Sequence, residues 1–343
     1  MMDIEAIIYN PILRAILGLC LMGAVFGGAC IAVWFERKLS ADVQQRYGPN
    51  RVGPHGLLQL AADAIKLFTK EDIIPKNADR LLFVSAPILL MGSVFLMLVA
   101  LPFGAIIING QSYVIAATQM DISVLYIEAV SAISIIGIFM VAYSANNKFS
   151  TLGAFRNFAR MVGYEVPLGI CVVSVAIMAG SLDIVKIAEA QSPLWFIIMQ
   201  PLGFVVFFIA LMADMGRHPF DQNESEEELI AGFLTEYTSM RFGYVFFAEY
   251  IHLILGSMLV VLLFLGGWNL PTFLTDITIV GVILPTVYYL LKVALVMLGI
   301  IMIRWSLPRF RIDQVVDLSW KKLLPLSLLN LGWVIALGLL GVY

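Results

Sequence analysis

The chain has 343 residues, of which 61% are hydrophobic and 13% charged, and its mean hydropathy is +0.93. A soluble globular domain is nearer half apolar and a quarter charged, so the composition excludes that class and indicates an integral membrane protein. The net charge of −3 says little by itself, because the charges are segregated along the chain. The lipid bilayer is the expected surrounding, and no nucleic-acid partner is expected. The three cysteines form no CxxC pair, and no metal site is expected.

A helix needs about 20 apolar residues to cross a bilayer. Eight runs qualify, at 13–35, 82–103, 122–143, 161–180, 195–213, 242–266, 277–303 and 322–341. The stretch 106–116 is too short and too polar to span, and is interpreted as interfacial. The sequence therefore predicts an all-α polytopic protein, a single integral membrane domain over 1–343, with both termini on the same side.

Basic residues indicate the orientation, because Lys and Arg concentrate in cytoplasmic loops. Four polar loops carry 18 of the 21 Lys and Arg residues: 36–80, 144–160, 214–241 and 304–322. These loops are predicted to face the cytoplasm, and both termini the outer (periplasmic) side.

The first of these loops contains a predicted amphipathic helix over 57–68, lying at the interface rather than spanning. An anionic-lipid anchor is one interpretation of this loop. Its acidic residues, including Glu36 and Asp63, favour the other, a surface that docks protein and lines a cavity.

The third loop is unusually acidic. Seven acids lie between Asp214 and Glu236, with Glu249 beyond them, and only Arg217 and Arg241 offset them. A loop that only joins two helices does not need so many carboxylates.

Four charged residues fall inside predicted spans or near their ends: Glu128, Glu165, Glu249 and Lys292. Each ionised side chain at the bilayer centre costs about 2.5–3.5 kcal/mol, so such residues pair, neutralise or function. Pairing of Lys292 with a glutamate would be purely structural, but three acids and one base cannot all pair.

The buried glutamates could continue the loop acids as a file of carboxylates that exchanges protons. The loop members of this file are Glu224, Glu226, Glu228 and Glu236. A metal site is the competing interpretation of clustered carboxylates, and it is weak because no histidine lies at ligand spacing among them. His252, three residues after Glu249, is interpreted as hydrogen-bonded rather than as a relay.

Several motifs together resemble the H subunit of respiratory complex I, the proton-pumping NADH:quinone oxidoreductase. They follow one another along essentially the whole chain, and include QRYGPN at 45–50, YEV at 164–166, RHPFD at 217–221 and LPRFR at 307–311. The eight helices of that family agree with the eight predicted spans.

The resemblance implies that the cytoplasmic loops form much of a quinone tunnel. The residues implied to line or border it are Glu36, Arg37, Arg46, Asp63, Phe220, Glu224, Glu228 and Arg304. Arg217 and Asp221 would fix the acidic loop. The implied coupling residues are Glu128, Glu165, Asp214, Glu226, Glu236 and Glu249, together with Lys292 as a buried cation. Many members have Glu where this chain has Asp214, which leaves the role of Asp214 open.

The resemblance also implies quinone as a substrate and no covalently bound cofactor, with iron–sulfur clusters and FMN only in partner subunits. The implied partners are the quinone-module subunits of the peripheral arm and the small and antiporter-like membrane subunits. The implied location is the bacterial inner membrane rather than a mitochondrial or other organellar one. Two other functions stay open: a membrane subunit of an energy-converting hydrogenase, and a free-standing ion transporter.

Overall fold

The computed structural model describes residues 11–108, 111–192, 194–222, 229–270 and 283–341. Within these ranges the longer regular elements are helices, apart from one hairpin. The helices are α1 Pro11–Val43, α2 Gln59–Thr69, α3 Arg80–Ala100, α4 Ser123–Ser144, α5 Lys148–Ala179, α6 Ile184–Ala190, α7 Phe196–Met199, α8 Pro201–Asp214, α9 Ser239–Phe264, α10 Leu284–Ser306, α11 Ile312–Asp317 and α12 Leu324–Leu339. The hairpin pairs β1 (Ala105–Ile108) with β2 (Gln111–Val114) in antiparallel register, in the stretch predicted not to span.

Seven helical stretches in the described part are long and apolar enough to cross a membrane. They are α1, α3, α4, α5, α9, α10 and the continuous stretch Ile312–Leu339, in which a π-helical turn at Leu318–Leu323 joins α11 to α12. The prediction of an all-α polytopic membrane protein is confirmed, and these stretches match seven of the eight predicted spans. The sidedness of the termini and loops stays a prediction.

The eighth predicted span, 195–213, is broken into two pieces. The short α7 ends at Met199, and the 14-residue apolar α8 starts at Pro201. Gln200 between them departs from helical geometry, with φ −133° and ψ 66°. Proline has no N–H and so cannot make the hydrogen bond that a helix interior requires, but the first turn of a helix needs no such bond. Pro201 therefore ends the preceding helix and starts a new one.

The polar loops are shorter than predicted, because helices extend into them. α1 continues to Val43, and α5 begins at Lys148, where the Asn147 side chain accepts a hydrogen bond from the N–H of Phe149. This capping satisfies one of the free N–H groups at the start of α5. The predicted loop 144–160 is therefore largely helix, and the predicted loop 304–322 contracts to the segment between Ser306 and Ile312.

Helix α9 is the most deeply buried of the spans, and packs against α1, α2, α3 and α10. On its other side, α5 packs against α4, α8 and α12. Many large apolar side chains on the other spans remain exposed, as expected for helices that meet lipid. The charged residues described below lie largely at the end of α8 and in the first half of α9.

The predicted amphipathic helix is confirmed as α2, which starts two residues later than expected. The preceding segment is a tight turn in which Gly53 and Gly56 have positive φ angles of 72° and 79°. A Cβ at Gly56 would lie 2.1 Å from the carbonyl oxygen of Pro49, so only glycine fits there. α2 contacts the start of α9, where Ser239 Oγ donates to the carbonyl of Leu67.

Candidate functional site

Glu36 is the centre of a buried ionic cluster between the end of α1 and the end of α10. It is only 4% exposed. One carboxylate oxygen accepts a hydrogen bond from Arg304 Nη1, and the other lies 3.9 Å from Arg217 Nη1. Arg217 also stacks over the ring of Tyr250, with 4.2 Å from its guanidinium carbon to the ring centroid. Segments that are far apart in sequence thus meet at one carboxylate.

Glu249 on α9 belongs to the same cluster. The charges of Arg217, Asp221 and Arg304 all act on it. Burial disfavours the charged form of Arg217, but Tyr250, Glu36 and Glu249 raise the pKa of its guanidinium above the ordinary value, so it stays a cation. Arg217 is therefore a permanent cation, and it interacts electrostatically with two carboxylates, Glu36 and Glu249.

The segment 214–222 is the first part of the acidic loop. Hydrogen bonds between side chains and main-chain carbonyls hold it against α5 and against the segment that follows α10. Arg160 Nη1 on α5 donates to the carbonyl of Phe220 at 2.8 Å. Gln222 Nε2 donates to the carbonyl of Phe310 at 3.0 Å, and a nitrogen of the His218 ring lies 2.8 Å from the carbonyl oxygen of Leu307. These contacts fix the backbone without using any carboxylate of the loop.

Phe220, implied to border the tunnel, is buried at 3% exposure. Its ring lies 5.4 Å from the Tyr164 ring and 5.6 Å from the Phe310 ring. Asp221 lies beside it, 3.8 Å from Arg309 Nη2. The RHPFD motif at 217–221 and the LPRFR motif at 307–311 therefore pack against each other, although they are far apart in sequence. These contacts are compatible with the loop-fixing role expected of Arg217 and Asp221, which stays a prediction.

A second group of acids shares only α9 with the first group. Asp214, the last residue of α8, has its Oδ2 3.5 Å from Nε2 of His252 on α9. The charge of Asp214 also acts on Glu128 of α4 and on Glu165 of α5, and the charge of Glu165 acts on Glu128. Four helices therefore contribute ionisable side chains whose charges influence one another, although Glu128 and Glu165 are only partly buried.

Glu165 has an unusual surrounding for a carboxylate. It lines a cleft of about 440 Å³ whose other lining residues are all apolar: Val162, Val166, Gly169, Ile170, Val173 and Leu331. Within the described residues, no ion pair within 4 Å involves Glu165.

Glu236 lies at the other end of the acidic loop, just before α9, and its hydrogen-bond partner is a neutral side chain. Its Oε1 accepts a hydrogen bond from Asn147 Nδ2 at 2.7 Å. The neighbouring Tyr237 donates to the carbonyl of Phe83 at 3.2 Å and stacks on the Phe83 ring. Burial raises the pKa of Tyr237 to about 12, so its hydroxyl stays protonated at neutral pH. This corner anchors the end of the loop to α3 and α5.

Arg37 and Arg46 border an open cleft beside α2. Arg37 Nη1 forms a 2.6 Å ion pair with Asp63, and the cleft, of about 520 Å³, is also lined by Tyr47. The turn after α1 thus brings both implied tunnel arginines to the surface next to the amphipathic helix. Glu36, the residue before Arg37, is instead buried within the bundle.

Lys292 is separate from these acids. Its Nζ donates to the carbonyl of Leu265 at 2.7 Å and to that of Gly267 at 3.1 Å. It also lies over the rings of Trp195 and Tyr288, 4.6 and 4.2 Å from their centroids. No ion pair joins Lys292 to a carboxylate among the described residues, so the structural alternative of pairing with a glutamate is wrong for this part of the chain.

Glu224, Glu226 and Glu228 lie outside the described residues. In the part of the chain that is described, no three His, Cys, Asp or Glu side chains are grouped so as to hold a metal ion.

A family model described as NADH dehydrogenase matches residues 16–335. The chain belongs to this NADH dehydrogenase family. The H subunit of the F(420)H(2) dehydrogenase of Methanosarcina acetivorans is 71% identical over 96% of this chain and 94% of its own length. The H subunit of the NADH-quinone oxidoreductase of Dehalococcoides mccartyi (strain CBDB1) is 45% identical over 91% and 83%, and the one numbered H 2 in Rhizobium etli is 43% identical over 87% and 86%.

These relatives confirm the resemblance to the H subunit of complex I. The chain is a multi-pass membrane subunit of this family, whose named members are subunits of multi-subunit oxidoreductases. The site therefore belongs to a protein that works inside an enzyme complex.

The sequence pattern misses several residues that build this site. It places Arg160 in a polar loop, yet Arg160 lies within α5 and is 1% exposed. It assigns no role at the site to Asn147, which contacts Glu236, and it interprets His252 only as a hydrogen-bonded neighbour of Glu249, whereas His252 lies against Asp214. One signal in the sequence could have placed Arg160 within a helix: the helical spacing of apolar residues continues without a break before residue 161.

Proposed function

We propose that this chain forms one wall of a quinone-reduction chamber and couples the reduction to proton translocation. The cleft of Arg37, Arg46 and Asp63 and the buried Glu36 would face the quinone. The acids from Glu249 to Glu165 would carry the coupled protons.

The adjacency of the two groups of acids carries this proposal. The first group surrounds Glu36, whose carboxylate contacts Arg304 and Arg217, and the second surrounds Asp214, whose Oδ2 lies 3.5 Å from Nε2 of His252. α9 connects the two groups, because Glu249 and His252 lie one turn apart on it. Ionisable groups that interact do not ionise independently, so a change of charge at one site alters proton occupancy at the next.

The acidic loop would complete the path at the chamber. Glu224, Glu226 and Glu228 follow soon after Gln222, which is held by the carbonyl of Phe310. Their role in binding quinone or exchanging protons is part of the proposal. Glu236 would belong to the same file through its position at the end of the loop.

Partner subunits would supply the electrons. Iron–sulfur clusters and FMN would be held in the peripheral arm, and the small and antiporter-like membrane subunits would receive the coupled protons. The complex would lie in an energy-converting membrane, with a bacterial inner membrane as the predicted location.

Replacement of Glu249 by Gln in the assembled complex tests the coupling. We expect electron transfer to the quinone to become slower and proton translocation to be lost, because the amide cannot exchange a proton. Unaltered rates of both reactions would contradict the proposal.

The quinone site has its own test. A photoreactive quinone analogue should label the segment 36–70 or 214–236 in the purified complex, and excess unlabelled quinone should suppress the labelling. Labelling confined to other parts of this chain would contradict the assigned chamber wall.

The electron donor is a second question, on which the relatives differ. The Methanosarcina acetivorans relative at 71% identity is named for F(420)H(2), and the relatives at 43–45% are named for NADH. We therefore infer that the complex takes its electrons from F(420)H(2). Oxidation of F(420)H(2) but not NADH by the purified complex would support this, and the reverse would overturn it.

A further inference from the structure

We infer that His252 is a proton-relaying residue that connects the acids around Glu249 to those around Asp214. This inference rests on the proposed function, and it names a residue in the path that the carboxylates alone leave out. It differs from the interpretation that the sequence favours, in which His252 is only a satisfied hydrogen-bonding group.

The ring of His252 is buried and incompletely satisfied. His252 is 8% exposed, and its Nε2 lies 3.5 Å from Oδ2 of Asp214 with no hydrogen-bond partner among the described residues. A buried polar nitrogen without a partner is costly, so its retention calls for an explanation. A separation slightly longer than a hydrogen bond is common at catalytic sites that tighten only during the reaction.

Side-chain packing brings the end of α8 against α9 beside the His252–Asp214 pair. A Cβ at Gly256 would lie 2.8 Å from Sδ of Met215, the residue after Asp214. Glycine at this position therefore leaves room for the Met215 side chain on α9, one turn after His252.

Charged groups on several elements surround the ring. Those that act on it directly are Asp214, at the end of α8, and Arg217, just after that helix. The others act through Asp214 or lie one turn away: Arg160 and Glu165 on α5, Glu128 on α4 and Glu249 on α9 itself. His252 thus lies one helical turn from Glu249 of the first group and 3.5 Å from Asp214 of the second.

The proposed step transfers one proton and no electrons. The Nε2–H bond of the imidazolium breaks as an O–H bond forms on Asp214 Oδ2, leaving a neutral ring and a neutral acid. The neutral ring, still protonated at Nδ1, then turns and takes the proton of the Glu249 carboxyl at its bare Nε2, which restores the imidazolium and leaves Glu249 as a carboxylate. Asp214 passes its own proton to the carboxylate of Glu165 or Glu128 and is itself a carboxylate again. Histidine suits this step because its charge changes near neutral pH.

His252→Asn tests the relay in the complete complex in proteoliposomes, with a short-chain quinone analogue as acceptor and a pH-sensitive dye inside. We expect the initial rate of proton translocation to fall about tenfold or more. We also expect its dependence on pH to flatten, which loss of a purely structural contact would not cause. The control is Asp121→Asn, at a carboxylate whose side chain is 93% exposed and which belongs to neither group of acids nor to the proposed quinone chamber.

Glu249→Gln in the same assay separates the two ideas. If it abolishes translocation while His252→Asn leaves the rate and the pH profile unchanged, the relay is overturned and the proposed function stands. If Glu249→Gln also has no effect, the proposed function itself fails. If His252→Asn and His252→Gln both fail to assemble while Asp121→Asn assembles, His252 is a folding residue and the relay is overturned.

Discussion

Lys292 and Glu36 are both buried charges, but their surroundings differ in kind. Lys292 is satisfied by two backbone carbonyls and two aromatic rings, none of which changes charge at neutral pH. Glu36 lies between two arginines and belongs, with Glu249, to a network of ionisable groups. A buried charge with fixed neutral partners stabilises the fold, whereas one with ionisable neighbours can respond to a change of charge.

Arg160 sharpens this comparison, because it lies in the acidic region but has neutral partners like those of Lys292. It donates to the carbonyl of Phe220 and to the side-chain oxygen of Asn157. Arg160→Met should have the largest effect on stability, about 3–5 kcal/mol from two charge-assisted hydrogen bonds. Thermal denaturation of the purified complex measures it, and an unchanged midpoint would contradict this assignment.

Glu36→Gln should have the next largest effect, because it leaves Arg304 and Arg217 without their shared carboxylate. Removing one partner of a buried ion pair costs about 3 kcal/mol. Unlike Arg160→Met, it should also slow quinone reduction in whatever complex assembles. Stable complex with a normal rate would show that the cluster is neither structural nor functional.

Lys292→Met should cost about 1–3 kcal/mol, since two buried carbonyls lose their donor. The number of protons translocated per electron pair should not change, because Lys292 has no ion pair with a carboxylate among the described residues. Measuring this ratio in proteoliposomes checks the contrast directly. A lower ratio would place Lys292 in the proton path, as the resemblance to complex I implies.

Asp63→Asn should have the smallest effect on stability. The side chains of Arg37 and Asp63 are 41% and 31% exposed, and such ion pairs contribute about 0–1 kcal/mol. The apparent KM for quinone should nevertheless rise if the cleft admits the substrate. An unchanged KM would remove this cleft from the proposed chamber.

The spans and the amphipathic helix could be predicted from the sequence because hydrophobic runs and helical periodicity are local properties. The resemblance to a known family also pointed to Glu36, Arg217 and Asp221. The burial of Arg160, and the contact of Lys292 with carbonyls rather than a glutamate, could not be predicted. Those facts depend on contacts between segments far apart in sequence, and periodicity carries no information about them.

Glu165→Gln tests most directly whether the carboxylates carry protons. Glu165 has no ion pair with another described residue and lines an apolar cleft, so neutralising it breaks no ion pair of the described fold. We predict a complex that assembles and transfers electrons but translocates protons at least about tenfold more slowly. Proton translocation at the unmodified rate, measured in proteoliposomes with the same electron flux, would contradict this role for the carboxylates.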